Sequence, residues 1–402
     1  MKPRPVFVVA AVLSVIVAAF ARFVLLEDTP PTFTVSGIQA GHVVVPPGQI
    51  VVSASDGISG VGEVVALVDG ELMVVEGEGD ERRVLLPTRL GDGQHTLVLL
   101  VRDRSWNRNE ARSKLEFLTD SSPPRFRLAP STQATQGRVL PIFLSADEFA
   151  RDVEATAFGR PLPLEKRDGI WFGVTGVGVS EEDGELVITA EDAHGNRGER
   201  RLPLPVTPTV FPDGGVVTLD AQRQKNQKDD TLRAQDGEKR SAAYAVPQPT
   251  WLSAGTAHLP TEGRVSSPFG KVRTYNTGVV RHHLGTDIAA GQGTPVFSAG
   301  AGVVALAEGL PIHGNAVVVR HGPSLSTSYN HLHSIAVEVG QRIERADVVG
   351  TVGSTGQSTG PHLHWGMVAG GVAVAAETWL DTDLLTPIAS DRAALEAPWT
   401  AP

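Results

Sequence analysis

Nine of the twelve histidines in this 402-residue chain lie between His258 and His364. Imidazole is the side chain best suited to bind a metal or move a proton near neutral pH. Three segments in that window carry the residue types that do chemistry: His283-Leu284-Gly285-Thr286-Asp287, Tyr329-Asn330-His331-Leu332 and Gly360-Pro361-His362-Leu363-His364-Trp365. On a strand, residues two apart share a face. His362 and His364 are therefore expected to project together while Leu363 turns into the core, which suits a metal ligand next to a catalytic group. His283 and Asp287 are four apart, but Gly285 and the neighbouring β signals favour a turn or bent strand over a helix. Two histidine nitrogens and one aspartate oxygen make a three-ligand zinc set. That count leaves a fourth position for water, the mark of a catalytic rather than a structural site. The chain has no cysteine, so thiolate sites and disulfides are excluded, and iron–sulfur or copper chemistry is disfavoured.

The first segment resembles the HxGxD motif of lysostaphin-type (LytM-like) zinc endopeptidases, a family of peptidoglycan hydrolases. Thr359-Gly360-Pro361-His362-Leu363-His364 resembles their TGPHLH motif. The framework is similar as well: Ser267 to Gly270 with Arg273, Gly293 to Val296, Gly314-Asn315, Tyr329 to Leu332, Val339 to Gln341, and Gly350 to Gly356. The resemblance implies His283, Asp287 and His364 as ligands of one Zn2+, and His331 and His362 as the two catalytic histidines. It implies peptidoglycan peptides as substrate and an antiparallel β catalytic domain. A tyrosine that helps stabilise the oxyanion is frequent in the family, and Tyr275 is the candidate here. The chain departs from the common pattern at Asn330, His333, Gly366 and Ala375-Ala376, none of which is a ligand position. Amide hydrolysis needs no further cofactor.

These residues need elements to hold them. Thr294 to Phe297, Val303 to Leu306, Ala316 to Val319 and Val348 to Val352 read as short strands within a domain over residues 261–388, followed by a tail over 389–402. Upstream, short apolar runs separated by Gly, Pro and Asp-Gly turns predict a mainly β chain. Val68-Asp69-Gly70-Glu71 is a hairpin signal. Two units, residues 30–121 and 122–208, resemble bacterial immunoglobulin-like β-sandwiches. Asp103 and Asn107 near the end of the first are matched by Asp192 and Asn196 in the second. Calcium needs about six to eight oxygens, so these Asp and Asn side chains are expected to bond their own turns. Residues 209–260 read as a linker, polar and charged from Thr218 to Ala234, forming either a solvated helix or a flexible spacer. A segment lying over the active site is the alternative.

At the N-terminus, Lys2 and Arg4 precede an apolar stretch running to Leu26, interrupted by Arg22. Residues 1–29 therefore read as a membrane anchor or an export signal. Either places the rest of the chain in the cell envelope outside the cytoplasm, with the anchor form held at the inner membrane. The formal charge of −10 argues against nucleic acid as a partner. Partners of the sandwich units are not specified by the sequence. The functional expectation is a zinc endopeptidase cutting peptidoglycan peptide bonds. The alternative is an autoinhibited or non-catalytic regulator that binds the wall or activates another wall hydrolase. A biotin- or lipoyl-type carrier fails because no lysine follows Lys271.

Overall fold

The computed structural model describes residues 27–38, 43–44, 48–88, 90–147, 150–192 and 195–399. The fold is mainly β with antiparallel sheets. Among the described residues no helix is long and apolar enough to cross a membrane. The anchor or signal expected over 1–29 lies, up to residue 26, outside the described residues. The chain divides into two compact units, 1–123 with 191–197, and 124–190 with 198–402.

In the first unit, one sheet orders the strands Thr32–Ser36, Gln49–Ser55, Glu81–Leu85 and Val74–Glu76. The other orders Val43–Val44, Glu110–Thr119, Gly93–Asp103, Val61–Val68 and Glu71–Leu72. Burial alternates along Gln49–Ser55 and Val61–Val68, as expected for strands with one face in the core. Ile50, Val52, Ala66, Leu97, Leu99 and Phe117 fill the space between the sheets. Asp69 and Gly70 both have positive φ, 50° and 89°. That pair of left-handed residues is what a two-residue type I′ hairpin demands.

The second unit contains a further pair of four-stranded sheets and the histidine-rich domain. One of the sandwich sheets orders Phe126–Leu128, Val139–Ala146, Ile170–Gly176 and Glu165–Arg167. It has two apolar faces. Leu140, Ile142 and Leu144 belong to the sandwich's own core. Phe143, Phe172 and Val174 join instead the core around Trp251, Tyr329, Trp365 and Trp379. Polar contacts reinforce this junction: Ser324 Oγ donates to the Val174 carbonyl at 2.6 Å, and the Ser131 hydroxyl bonds the buried Asp391 carboxylate.

The histidine-rich domain is built on an eight-stranded antiparallel sheet. Its order is Arg264–Ser267, Thr286–Ala289, His362–Ala369, Leu325–Leu332, Gly314–Arg320, Gly302–Leu310 and Arg342–Ile343, with Val372–Val374 also paired to His362–Ala369. The strand Leu325–Leu332 is buried at every position, as befits a central strand covered on both faces. Residues 209–260 are structured. The strand Asp213–Val217 pairs in parallel with Val272–Tyr275, which pairs with Val280–His282. The helices Ala221–Lys228 and Asp230–Ala245 follow. The second is capped by Asp229, whose carboxylate accepts from the Thr231 and Leu232 amides, the usual way to satisfy orphan N–H groups. Its Ala243 and Tyr244 pack on Leu306, Leu310, Ala316 and Val318.

Candidate metal centre and cleft

Strand register brings the chemistry together. Asp287 is the cross-strand neighbour of His364, and Ala289 of His362. Leu363 and Trp365 point inward and are fully buried, which leaves His362 and His364 on the opposite face. His283 enters from the turn before Thr286–Ala289. Gly285 makes that turn possible: a Cβ there would lie 2.5 Å from His364 Nε2 and 2.9 Å from the Trp365 carbonyl oxygen. Asn330 donates to the His364 carbonyl at 3.0 Å and ties the third strand to the pair.

Three atoms converge. His283 Nε2 lies 3.0 Å from Asp287 Oδ1 and 3.0 Å from His364 Nδ1. His364 Nδ1 lies 2.8 Å from the same carboxylate oxygen. Donors at ~2.0–2.1 Å from a tetrahedral zinc stand about 3.3 Å apart, so the spacing fits that ion to within a few tenths of an ångström. The surrounding contacts aim the donors. His283 Nδ1 donates to the Pro268 carbonyl at 3.1 Å, leaving Nε2 as the ligand atom. Arg273 Nη2 takes the other carboxylate oxygen, Asp287 Oδ2, at 2.5 Å and also reaches Ser267 Oγ at 2.8 Å. That leaves Oδ1 for a metal. Two nitrogens and one oxygen, with no sulfur, are the donor set of a catalytic zinc. Burial alone would raise the Asp287 pKa, but its close contacts with the His283 and His364 imidazoles outweigh it and hold the carboxylate well below its ordinary range. Burial pushes His364 down to about 4.

His331 and His362 flank this cluster, their ring centroids 5.0 Å apart. His331 stands 5.9 Å from the His364 ring. Each commits Nδ1–H to a backbone carbonyl: His331 to Thr355 at 2.8 Å and His362 to Gly360 at 2.8 Å. Both rings are thereby held in the tautomer with Nε2 as acceptor. His331 sits at φ 61°, a left-handed conformation uncommon for a residue with a Cβ and often found at functional sites. Burial, then the neighbouring His364 and His362, pushes its pKa down to about 3.

A cleft of about 380 Å³ opens over these residues. Tyr275 lines it, with its side chain half-buried, as do Ser267, Arg273 and Thr359. All six residues singled out from the sequence thus border one space. The cleft has further walls that sequence reasoning did not assign to the site. Gly214, Val217 and Leu219 come from the region read as linker, and His313 from a loop. His313 Nδ1 donates to Asp236 Oδ2 at 2.5 Å, and Arg240 Nη1 donates to its Nε2 at 2.9 Å. Both partners lie on the helix Asp230–Ala245, far away in sequence. The other histidines among the described residues do not line this cleft. His282 Nδ1 bonds the Gly270 carbonyl. His321 is buried with Nδ1 on the Ala301 carbonyl and Nε2 near Thr327, and His333 is near Gln292.

Residues 281–376 match the model of Peptidase family M23, so the C-terminal part of the chain carries an M23 peptidase domain, of a family of zinc metallopeptidases. The chain is 43% identical over 114 residues to the peptidoglycan DD-endopeptidase ShyA of Vibrio cholerae, covering 28% of this chain and 26% of that one. It is 43% identical over 102 residues to the DD-carboxypeptidase/endopeptidase Mpg of Neisseria meningitidis, covering 25% and 24%. The chain thus spans about a quarter of the length of the curated relatives it matches. A solved catalytic domain, that of the prophage-encoded M23 protein EnpA of Enterococcus faecalis, is 29% identical. The match covers 31% of this chain and 96% of that one, with a TM-score of 0.27.

Proposed function

We propose that the M23 domain of this chain is a zinc-dependent endopeptidase that hydrolyses peptide bonds of peptidoglycan. The observation that carries the reading is the convergence of His283 Nε2, Asp287 Oδ1 and His364 Nδ1 within 3.0 Å of one another, beside two histidines whose Nδ1 atoms are already engaged. When bound, zinc supplies Lewis acidity, which polarises an amide carbonyl and acidifies a water beside it. The chain's own residues do the rest. His283, Asp287 and His364 hold the ion. Arg273 keeps Asp287 from turning its second oxygen inward. Of His331 and His362, one takes the proton of the attacking water and hands it to the leaving amine. The other, once protonated, hydrogen-bonds the developing oxyanion. Tyr275 borders the same cleft and is the candidate for a second oxyanion contact. The basic, apolar N-terminal sequence supports a reading in which the chain is exported and acts in the cell envelope, tethered at the inner membrane or released by cleavage.

The test is direct. Purified protein is expected to carry about one zinc per chain and to clear cell-wall sacculi, and His364→Ala is expected to lose both. Clearance by the variant at the wild-type rate would remove the reading.

The walls contributed by Val217 and Leu219 support a second reading, in which the segment after the sandwich limits access to the cleft. Under it, Val217→Ala combined with Leu219→Ala raises the clearance rate at unchanged zinc content. An unchanged or lower rate removes it.

A further inference from the structure

Far from the peptidase domain in sequence, the first sandwich gathers three carboxylates. Glu27, Asp56 and Asp103 each offer an oxygen, and these oxygens all lie within 4.8 Å of one another. Acidic clusters are common without an ion, but this one contains an anomaly. The Glu27 side chain is buried, the residue being 5% exposed, and neither of its carboxylate oxygens has a hydrogen-bond partner. A buried, unpartnered carboxylate is destabilising, and here it faces two more of the same sign.

The other two are fixed in place by neutral donors. Asp56 Oδ1 accepts from the amides of Ser59 at 2.8 Å and Gly60 at 2.7 Å. Asp103 Oδ1 accepts from the Ser105 amide and hydroxyl, and its Oδ2 from Asn109 Nδ2 at 2.8 Å. The same Asn109 nitrogen holds the Glu27 main-chain carbonyl at 2.7 Å. Asp103 thus does close its own turn, as the sequence suggests. It also sits where two carboxylates arrive from distant parts of the chain. Asp192, its counterpart in the second sandwich, is held by Asn196 within the equivalent turn.

We infer that Glu27, Asp56 and Asp103 form a binding site for a divalent cation, and that the cation is calcium. The donors are all oxygen and all charged. That excludes the nitrogen-bearing set preferred by zinc and matches a hard ion. Three carboxylates binding through one or two oxygens each supply about three to six of the six to eight oxygens calcium takes, with water completing the shell. Glu27 follows directly on the apolar N-terminal run. A cation here pins the first residue after that run to two loops of the sandwich.

The test uses the full-length protein in detergent, zinc-loaded and exchanged into calcium-free buffer, with calcium ion alone as the probe. Equilibrium dialysis with radioactive calcium is expected to show one saturable site, of the ~0.1–1 mM affinity seen in extracellular modules. Glu27→Gln is expected to weaken it about tenfold or more, as loss of a charged ligand does. Thermal unfolding supplies an independent readout. Calcium raises the midpoint of the wild-type protein but not of Glu27→Gln. Without calcium the variant melts at or above the wild type, because one repelling charge is gone. Should Glu27→Gln lose zinc content, a sign of misfolding, Asp56→Asn carries the same test. The proposal is overturned if the wild type shows no saturable binding, or if the variant binds and melts like the wild type in both buffers.

Discussion

Asp287 and His364 face each other across adjacent antiparallel strands, and the carboxylate Oδ1 lies 2.8 Å from the imidazole Nδ1. The pairing joins two motifs 77 residues apart in the chain. It makes the ligand spacing a property of sheet register, so a substitution that shifts the register acts on the metal.

Gly285→Ala tests that dependence. The added methyl would meet His364 Nε2 at 2.5 Å and the Trp365 carbonyl at 2.9 Å, and backbone cannot yield as a flexible side chain can. Overpacking of this kind costs about 1–3 kcal/mol. The expected outcome is a lower unfolding midpoint together with substoichiometric zinc, read by calorimetry and metal analysis. Retention of full zinc would separate the register from the site.

Arg273→Ala tests the hold on Asp287. The guanidinium bonds Asp287 Oδ2 and Ser267 Oγ, and loss of such a partner lowers metal affinity about 10–100-fold. Zinc competition against a chromophoric chelator measures it. Arg273→Lys is expected to recover little, since one ammonium does not reproduce the geometry of the planar fork.

His331→Asn separates catalysis from folding. Asparagine tolerates the left-handed backbone found at φ 61°, so the unfolding midpoint and zinc content are expected to stay near wild type. Sacculus hydrolysis is expected to fall about 10²–10⁴-fold, the usual worth of a proton-transfer group. Near-wild-type hydrolysis would take His331 out of the chemistry.

His321 predicts an acid limit on stability that owes nothing to the metal centre. Burial pushes its pKa down to about 4, below the ~6.5 of an unfolded histidine. Between those values the unfolded chain binds more protons than the folded one, so acidification favours unfolding. The contribution is whole above about pH 6.5. It is lost on the order of 1.4 kcal/mol per pH unit on the way down, and levels off below about 4. Denaturant midpoints measured from pH 7.5 to 4 check it. In His321→Gln the slope in this window is expected to shrink.

The candidate site was legible in the sequence because metal ligation restricts residue type and strands restrict spacing. Leu363 between two histidines is enough to predict a shared face for His362 and His364. The walls of the cleft were not legible in the same way. His313 carries no local motif, and its partners Asp236 and Arg240 sit on a helix whose sequence is mostly polar. Only the tertiary contact reveals that the buried Asp236 serves a loop some 77 residues later. Asp229 with Thr231 and Leu232 does carry a helix-start signal, but where the helix docks is decided by Ala243 and Tyr244 packing on distant strands. The buried state of Glu27 was equally hidden, since an acidic residue after an apolar run reads as the return to solvent.

Phe143, Phe172 and Val174 of the second sandwich share one apolar interior with Trp251, Trp365 and Trp379, and Ser324 is bonded to Val174. A junction of that kind does not work as a hinge. The cleft and the second sandwich are therefore expected to turn together, so that whatever binds the sandwich sets the direction in which the cleft opens.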